Sequence, residues 1–294
     1  MPRTVHRRHR GFTLVEILVV LAVIGLLIAV LLPAIGRASG TAKATKNLAN
    51  MRSLMQGVGM YIIDYEAYFP HKLPDQVVHP TWRRPGARFQ WMLGDYIGAP
   101  FSPRNEEERQ IMLTSNDLPR LDNQVFRDPL HDDEDYRSHQ TGNLQFLRNN
   151  SYGYNYQYLG NSRPHSDGRP TRYPVREAFI KAPAVTVCFA DSDGSQVMRL
   201  QHGAREHAYT LDPPMLDPER TRTTDWGHDA GQVVASIRHL GKATVAMLDG
   251  SVSMMTLEAL GYEVERGDDG IVKDNTGSNA LWNGLGYDPR LQAQ

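Results

Sequence analysis

Cysteine is almost absent from this sequence, since Cys188 is the only one among 294 residues. A single thiol excludes an internal disulfide and a zinc site built from thiolates, so stability must come from packing. An excess of charge of one sign is also lacking, because the net charge is −1 at pH 7. This balance predicts no nucleic-acid partner.

Complete catalytic motifs are lacking as well. The sequence contains no Gly-x-Ser-x-Gly elbow, phosphate-binding loop, dinucleotide fingerprint or His-Glu-x-x-His pair. We therefore predict that the chain is not an enzyme. The alternative is a membrane-anchored extracytoplasmic enzyme or binding module that uses the Asp, His and Tyr side chains after residue 130.

Ionisable side chains are missing from Phe12 to Leu32, with Glu16 as the one exception. At about 1.5 Å per residue, a helix over this run spans roughly 30 Å, the thickness of a bilayer core. A carboxylate inside a membrane segment costs about 2.5 kcal/mol or more. Glu16 therefore indicates a function and requires a partner.

The run Arg10-Gly11-Phe12-Thr13-Leu14-Val15-Glu16, preceded by a basic leader, resembles the class III signal of type IV pilins and type II secretion pseudopilins. The resemblance implies that a prepilin peptidase cuts after Gly11 and methylates the new amino group of Phe12. It also implies that Glu16 pairs with the N-terminal amine of a neighbouring subunit. Pro33 falls where many family members carry a helix-kinking proline.

The same resemblance implies a structural subunit, a pseudopilin or minor pilin, of a type II secretion or type IV pilus system. Its expected partners are the prepilin peptidase, other subunits and an inner-membrane assembly platform. The expected location is the inner membrane, with a cytoplasmic N-terminus and an extracytoplasmic C-terminal domain, and then a periplasmic or surface filament. The predicted segments are a leader at 1–11, a transmembrane helix at 12–35, its amphipathic continuation at 36–66 and a globular domain at 67–294.

Two other interpretations of the N-terminus stay open. In an ordinary secretory signal, the leader arginines form the n-region, Ile17–Leu32 the h-region and Ala34-Ile35-Gly36 the cleavage site. In a plain membrane anchor, the same helix stays in the bilayer and no filament forms.

The helix is expected to continue past Pro33. One apolar stripe, spaced by three and four residues, predicts an amphipathic helix that ends near Tyr65, before Pro70. The stripe consists of Leu48, Met51, Met55, Val58, Ile62 and Tyr65.

Tyrosine alternates strictly with other residues in Ser151–Gly160, which predicts a strand with its four tyrosines on one face. Packing of this face is favoured over binding of glycans or a partner.

Asp249-Gly250 separates two alternating runs, 243–248 and 251–256, and predicts a hairpin with a two-residue type I′ turn. This turn would place Met247 opposite Val252. Residues 232–238 supply a third strand. The predicted fold class is therefore α+β and pilin-like, a long N-terminal helix packed on an antiparallel sheet.

A second resemblance lies near the C-terminus. Arg238-His239, followed after nine residues by Asp249-Gly250, resembles the signature of a large bacterial family of pilin-like proteins. The chain departs from that family at Asp128-Pro129, where Cys-Pro is frequent. In a simple meander His239 and Asp249 lie roughly 20 Å apart, so they are interpreted as markers of two turns.

No cofactor is predicted, although two acidic stretches are weak calcium candidates. Asp132 and Asp133 belong to an acidic cluster that is interpreted as a solvated turn. Asp191 and Asp193 belong to an Asp-x-Asp-Gly sequence that is interpreted as a tight turn. The tail from Arg266 to Gln294 is expected to have little regular structure.

Overall fold

The fold is known from a computed structural model that describes residues 14–73, 86–98, 101–115, 117–164, 170–203, 205–216, 231–266 and 271–291. The α-helices of this part are α1 (Leu14–Tyr65), α2 (Phe89–Gly94), α3 (Glu106–Ser115), α4 (Tyr156–Leu159) and α5 (Gln196–His202). The strands are β1 (Ala67–Tyr68), β2 (Tyr152–Tyr154), β3 (Asn161–Pro164), β4 (Pro170–Arg172), β5 (Val175–Arg176), β6 (Val187–Ser195), β7 (Val233–Ala235), β8 (Ala243–Met247), β9 (Val252–Met255), β10 (Tyr262–Arg266) and β11 (Ile271–Gly277). This is the α+β, pilin-like layout that the sequence predicts.

The chain divides into two compact units, Met1–Ala42 and Lys43–Gln294. The described part of the first unit is helical throughout, from Leu14 onwards. The second unit contains the end of α1, the sheets and the hydrophobic core.

The end of α1 buries one face within the second unit, as the stripe predicts, but this face is not centred on the predicted residues. Met51 and Val58 are buried as expected, whereas Tyr65 is 55% exposed. Leu54 and Tyr61, which the predicted stripe omits, are buried instead. The stripe therefore identifies the helix but places the centre of its buried face inaccurately.

The central sheet is antiparallel and has the order β2-β6-β8-β9, with β7 also paired to β6. Both of its faces are covered. Thr244 and Ala246 of β8 face the side of α1, since Thr244 contacts Asn47 and Ala246 belongs to the core cluster that includes Met51. Ala243, Val245 and Met247 belong to a second core cluster with Trp282.

The predicted hairpin is present, but its register differs by one residue. Ala246, not Met247, lies opposite Val252. The turn has three residues, because Gly250 N donates to Met247 O (3.0 Å) and Met247 N donates to Ser251 O (2.9 Å). Gly250 has a φ of +87°, as expected for a type I turn closed by a glycine bulge.

A two-residue type I′ geometry occurs at the preceding connection instead. Leu240 and Gly241 have φ values of +54° and +74°, and His239 and Lys242 exchange backbone hydrogen bonds. The strand predicted at 232–238 also has a different neighbour, because β7 pairs with β6 rather than with β8.

The tyrosine-rich segment is a strand only from Tyr152 to Tyr154, so the longer predicted strand is wrong. Beyond Asn155 the chain turns into the short helix α4. Tyr152, Tyr154 and Tyr156 are nonetheless fully buried, in agreement with the packing interpretation.

The prediction of an irregular tail is wrong in part. Ile271–Gly277 forms β11 and pairs with β10, and Trp282 is fully buried beyond it. Trp282 Nε1 donates to Leu260 O at 2.8 Å. Trp282 and Val272 belong to the same core cluster, so apolar side chains attach this polar tail to the core.

Candidate functional site

The N-terminal motif lies at the start of α1. Gly11 and Phe12 are outside the described residues. Glu16 lies in the first turn of α1, where a negative charge interacts favourably with the helix dipole.

From Ile17 to Ile35, α1 exposes its apolar side chains on every side. None of its most apolar 18-residue window is buried within the described protein. A uniformly apolar helix of this length belongs in lipid or among other helices. The segment thus fits a single-pass membrane anchor.

Residues 6–32 match the family model of the prokaryotic N-terminal methylation motif. This match supports a type IV pilin-like family, and with it processing by a prepilin peptidase. No match was found among curated proteins or among solved structures.

Pro33 lies inside α1, which continues as helix on both sides of it. Because proline has no N–H, the carbonyl of Ala29 lacks its usual helical donor. The role of Pro33 as the site of a kink stays a prediction.

A second candidate site is a buried group of charged side chains in the second unit, which we call the Arg238 cluster. It consists of Asp128, His131, Asp191, Asp193, Arg205, Arg238 and His239. These residues come from one loop, from β6, from the segment after α5 and from the segment after β7.

Arg238 is the centre of this cluster. Its Nε donates to Asp128 Oδ2 (2.7 Å), its Nη1 to Asp193 Oδ1 (2.9 Å) and its Nη2 to Asp191 Oδ1 (3.4 Å). The carbonyls of Ser151 and Ser192 accept further hydrogen bonds from the same guanidinium. One buried cation thus joins two carboxylates of β6 to the carboxylate of Asp128, which lies in a distant loop.

Burial and charge act in opposite directions on these carboxyls. Burial alone would raise the pKa of Asp193, but Arg238 and Arg205 outweigh it and hold that pKa at about 2. The pKa of Asp128 is likewise held well below its usual range, against burial, by Arg238 and His239. At Asp191 burial outweighs Arg238, and the pKa is raised.

His239 and Asp249 do not meet. His239 is buried, and its Nε2 lies 2.8 Å from Asp128 Oδ2. Asp249 and Gly250 are exposed at the hairpin turn, where the Asp249 carboxylate accepts from Ser251 N. His239 therefore contacts Asp128 rather than Asp249.

The cluster also contains a Ser–His–Asp arrangement. Ser151 Oγ lies 2.9 Å from His131 Nδ1, and His131 Nε2 lies 3.8 Å from Asp193 Oδ1. Burial, then Arg205 and Arg238, lower the pKa of His131 to about 2. An imidazole that resists protonation is a poor general base, and Ser151 is fully buried. The arrangement therefore lacks two properties that a serine nucleophile needs.

The weak calcium candidates have other contacts. Asp132 Oδ1 accepts from Glu134 N, and Asp133 pairs with Arg127 at 2.8 Å. Asp191 and Asp193 lie within β6 rather than in the predicted tight turn. Here Gly194, with a φ of +81°, forms part of an irregularity between Ser192 and Ser195. A bulge and a turn favour the same residue types, which explains the misassignment.

Sequence reasoning missed Asn47, Arg205 and the central role of Arg238. Asn47 is a polar residue within the buried face of α1, and this was the available signal. The partners of Arg238 lie 45 or more residues away in sequence, and no local pattern indicates them.

Proposed function

We propose that the chain is a structural subunit, a pseudopilin or minor pilin, of a type II secretion or type IV pilus system. A prepilin peptidase cleaves after Gly11 and methylates Phe12, and an inner-membrane assembly platform then moves the subunit from the membrane into a filament. The observation that carries this proposal is the methylation motif at residues 6–32, which overlaps an uncovered apolar helix.

The exposed helix supports assembly as well as anchoring. Its side chains from Leu14 to Ile35 are exposed in the single chain. Lipid covers such a surface before extraction, and the helices of other subunits cover it in a filament. The second unit then carries the surface that faces other subunits or cargo.

Glu16 has a specific role in this proposal. In the filament its carboxylate pairs with the methylated amine of Phe12 in a neighbouring subunit. Between apolar helices, removing one member of an ion pair leaves the other charge desolvated and costs about 3–5 kcal/mol. In the membrane, by contrast, replacement of the Glu16 carboxylate by an apolar side chain is favourable by about 2.5 kcal/mol or more.

Two substitutions separate processing from assembly. Gly11→Val blocks the extended backbone from the peptidase site, so the full-length precursor accumulates. Glu16→Val leaves the scissile bond untouched, so the mature chain forms and inserts but does not assemble. Glu107→Val, the same change on the exposed helix α3, is the matched control and assembles normally.

The measurement is fractionation of sheared filaments, with immunoblotting of membrane and filament fractions for each variant. Absence of Glu16→Val protein from filaments, with normal processing, supports the proposal. Normal incorporation of Glu16→Val refutes the pairing role of Glu16. Absence of wild-type protein from every filament fraction favours a plain membrane anchor.

A further inference from the structure

The buried face of α1 in the second unit contains two polar side chains. Asn47 is fully buried and Asn50 is 7% exposed. The other buried side chains of this face are apolar: Ala44, Met51, Leu54, Met55, Val58 and Tyr61. An asparagine amide among apolar residues is costly unless its hydrogen bonds are made.

Apolar packing alone distinguishes weakly between positions of α1 along its own axis. Met51, Leu54, Val58 and Tyr61 follow one another at intervals of three or four residues, which is one helical turn, and Ala44, Met51 and Val58 repeat every seven residues, which is about two turns. A helix that slips along its axis by one or two turns therefore still presents apolar residues to the core. Such near-repeats require an additional feature to select one register.

Asn47 supplies directional contacts to three strands. Its Nδ2 donates to Asp191 Oδ1 (2.8 Å) and to Thr244 Oγ1 (2.9 Å). Its Oδ1 accepts from the hydroxyl of Tyr152 (2.5 Å). Asp191, Thr244 and Tyr152 belong to β6, β8 and β2, so one amide contacts three neighbouring strands.

Asp191, whose carboxylate accepts from Asn47, is itself held in place. Thr244 N donates to Asp191 Oδ2 (2.6 Å), and Arg238 Nη2 approaches Asp191 Oδ1. The carboxylate thus has a fixed orientation, with one oxygen available to α1. Arg238 acts here as a positioning residue for the contact with Asn47.

Asn50 makes a second polar contact one turn further along α1. Its Nδ2 donates to the carbonyls of Gln124 (3.0 Å) and Arg127 (2.9 Å), in a segment outside the sheet. A slip of α1 by one turn removes both asparagines from their partners together. The buried amides and acceptors then lose hydrogen bonds that apolar packing cannot replace.

We propose that Asn47 and Asn50 fix the register of α1 against the sheet, and that the Arg238 cluster presents the carboxylate that makes this register unique. A buried asparagine sets the register of coiled coils by the same physical means. Gly57 adds a steric constraint, because a Cβ there would lie 2.6 Å from Ile97 Cγ2. The inference concerns the second unit alone and does not depend on filament assembly.

The test measures position rather than stability. Spin labels are placed on the full-length chain in detergent through Arg52→Cys and Ser253→Cys, both at exposed positions, with the buried Cys188 replaced by alanine. Pulsed electron resonance then gives the distance distribution between α1 and β9. The wild-type background is expected to give a single distance.

In the Asn47→Leu/Asn50→Leu variant we expect a second distance, displaced by up to about 5.4 Å for a slip of one turn. Leu54→Ala is the control: it leaves a cavity and destabilises the core, yet keeps a single distance. If the leucine variant does not fold, Asn47→Ala/Asn50→Ala decides, since it removes the same amides without adding bulk. A single wild-type distance in the folded asparagine variants overturns the proposal.

Discussion

Replacement of Arg238 by methionine gives the sharpest test of the buried cluster. Methionine approximates the aliphatic part of the arginine side chain but removes the guanidinium, with its charge and every donor. Asp128 and Asp191, both fully buried, then lose their shared cation, and Asp193 keeps Arg205 as a neighbouring cation and the hydroxyl of Ser236 as a donor. Removing one member of a buried ion pair costs about 3–5 kcal/mol.

Two structural details set the expected size of the effect. The carbonyls of Ser151 and Ser192 also lose a donor, which adds to the cost. A cavity of about 640 Å³, lined in part by Asp193 and Arg238, allows water to approach the carboxylates and reduces this cost. We therefore expect Arg238→Met to lower the free energy of unfolding by about 4 kcal/mol at pH 7.

The loss of unfolding free energy in Arg238→Met should be smaller in acid, because the buried carboxyls can then be protonated. In the variant their folded-state pKa values rise above the unfolded values, so the folded state binds protons first and gains stability as the pH falls. In the wild type the pKa of Asp193 is about 2, so its contribution persists down to about pH 4 and is lost as the pH falls towards 2. The difference between the two proteins should thus fall to about 2 kcal/mol at pH 4.5.

The assay is urea unfolding of the full-length chain in mild detergent, followed by tryptophan fluorescence. Trp91 and Trp282 are fully buried and report on the second unit. Arg109→Met, at an exposed pair with Glu106, is the control and should change the free energy by less than about 0.5 kcal/mol. A loss below about 1 kcal/mol in Arg238→Met, or a loss that is constant between pH 7 and 4.5, would refute the reasoning.

Two further predictions concern pH dependence and helix α1. The folded pKa of His131 is about 2, whereas the unfolded imidazole titrates near 6.5, so the free energy of unfolding of the wild type should decline by roughly 2 kcal/mol from pH 7 to 5. His131→Asn should flatten this decline in urea titrations, and an unchanged slope would show that His131 is not its cause. Gly59 of α1 faces open space, so Gly59→Ala should raise the free energy of unfolding by about 0.5–1 kcal/mol. Gly57→Ala should yield no such gain, because the new Cβ would meet Ile97. Equal gains in the two variants would show that this close approach is absent in solution.

Local signals in the sequence identify several elements but not their alignment. The apolar run and the following stripe predict α1, and Asp249-Gly250 predicts the β8–β9 hairpin. The register is missed because glycine at this turn satisfies both a two-residue type I′ turn and a three-residue turn with a bulge. Only the hydrogen bonds of Met247 distinguish the two, and they depend on the completed sheet.

The buried cluster could not be predicted from the sequence, because its members are brought together by long-range pairing. Asp128 precedes Arg238 by 110 residues, and Asn47 precedes Asp191 by 144. A charged residue in a polar stretch normally indicates a solvated surface. Burial of Asp191 becomes evident only when β2 and β8 are known to flank β6.

The N-terminal motif shows the opposite relation between sequence and structure. In the proposed function a peptidase recognises the order Gly11, Phe12 and Glu16 in the sequence, whereas the described structure begins at Leu14. The structure contributes the exposed apolar helix that follows, while the motif match contributes the processing step.

The most direct test of the proposed function is the mass of the mature N-terminal peptide, measured on protein isolated from membranes of the native host. Prepilin processing should give a chain that begins at Phe12 and carries one additional methyl group on its amino nitrogen. A mature chain that begins at Arg37 would establish an ordinary secretory signal, and an intact Met1 would leave only a membrane anchor. Either result would contradict the proposed function.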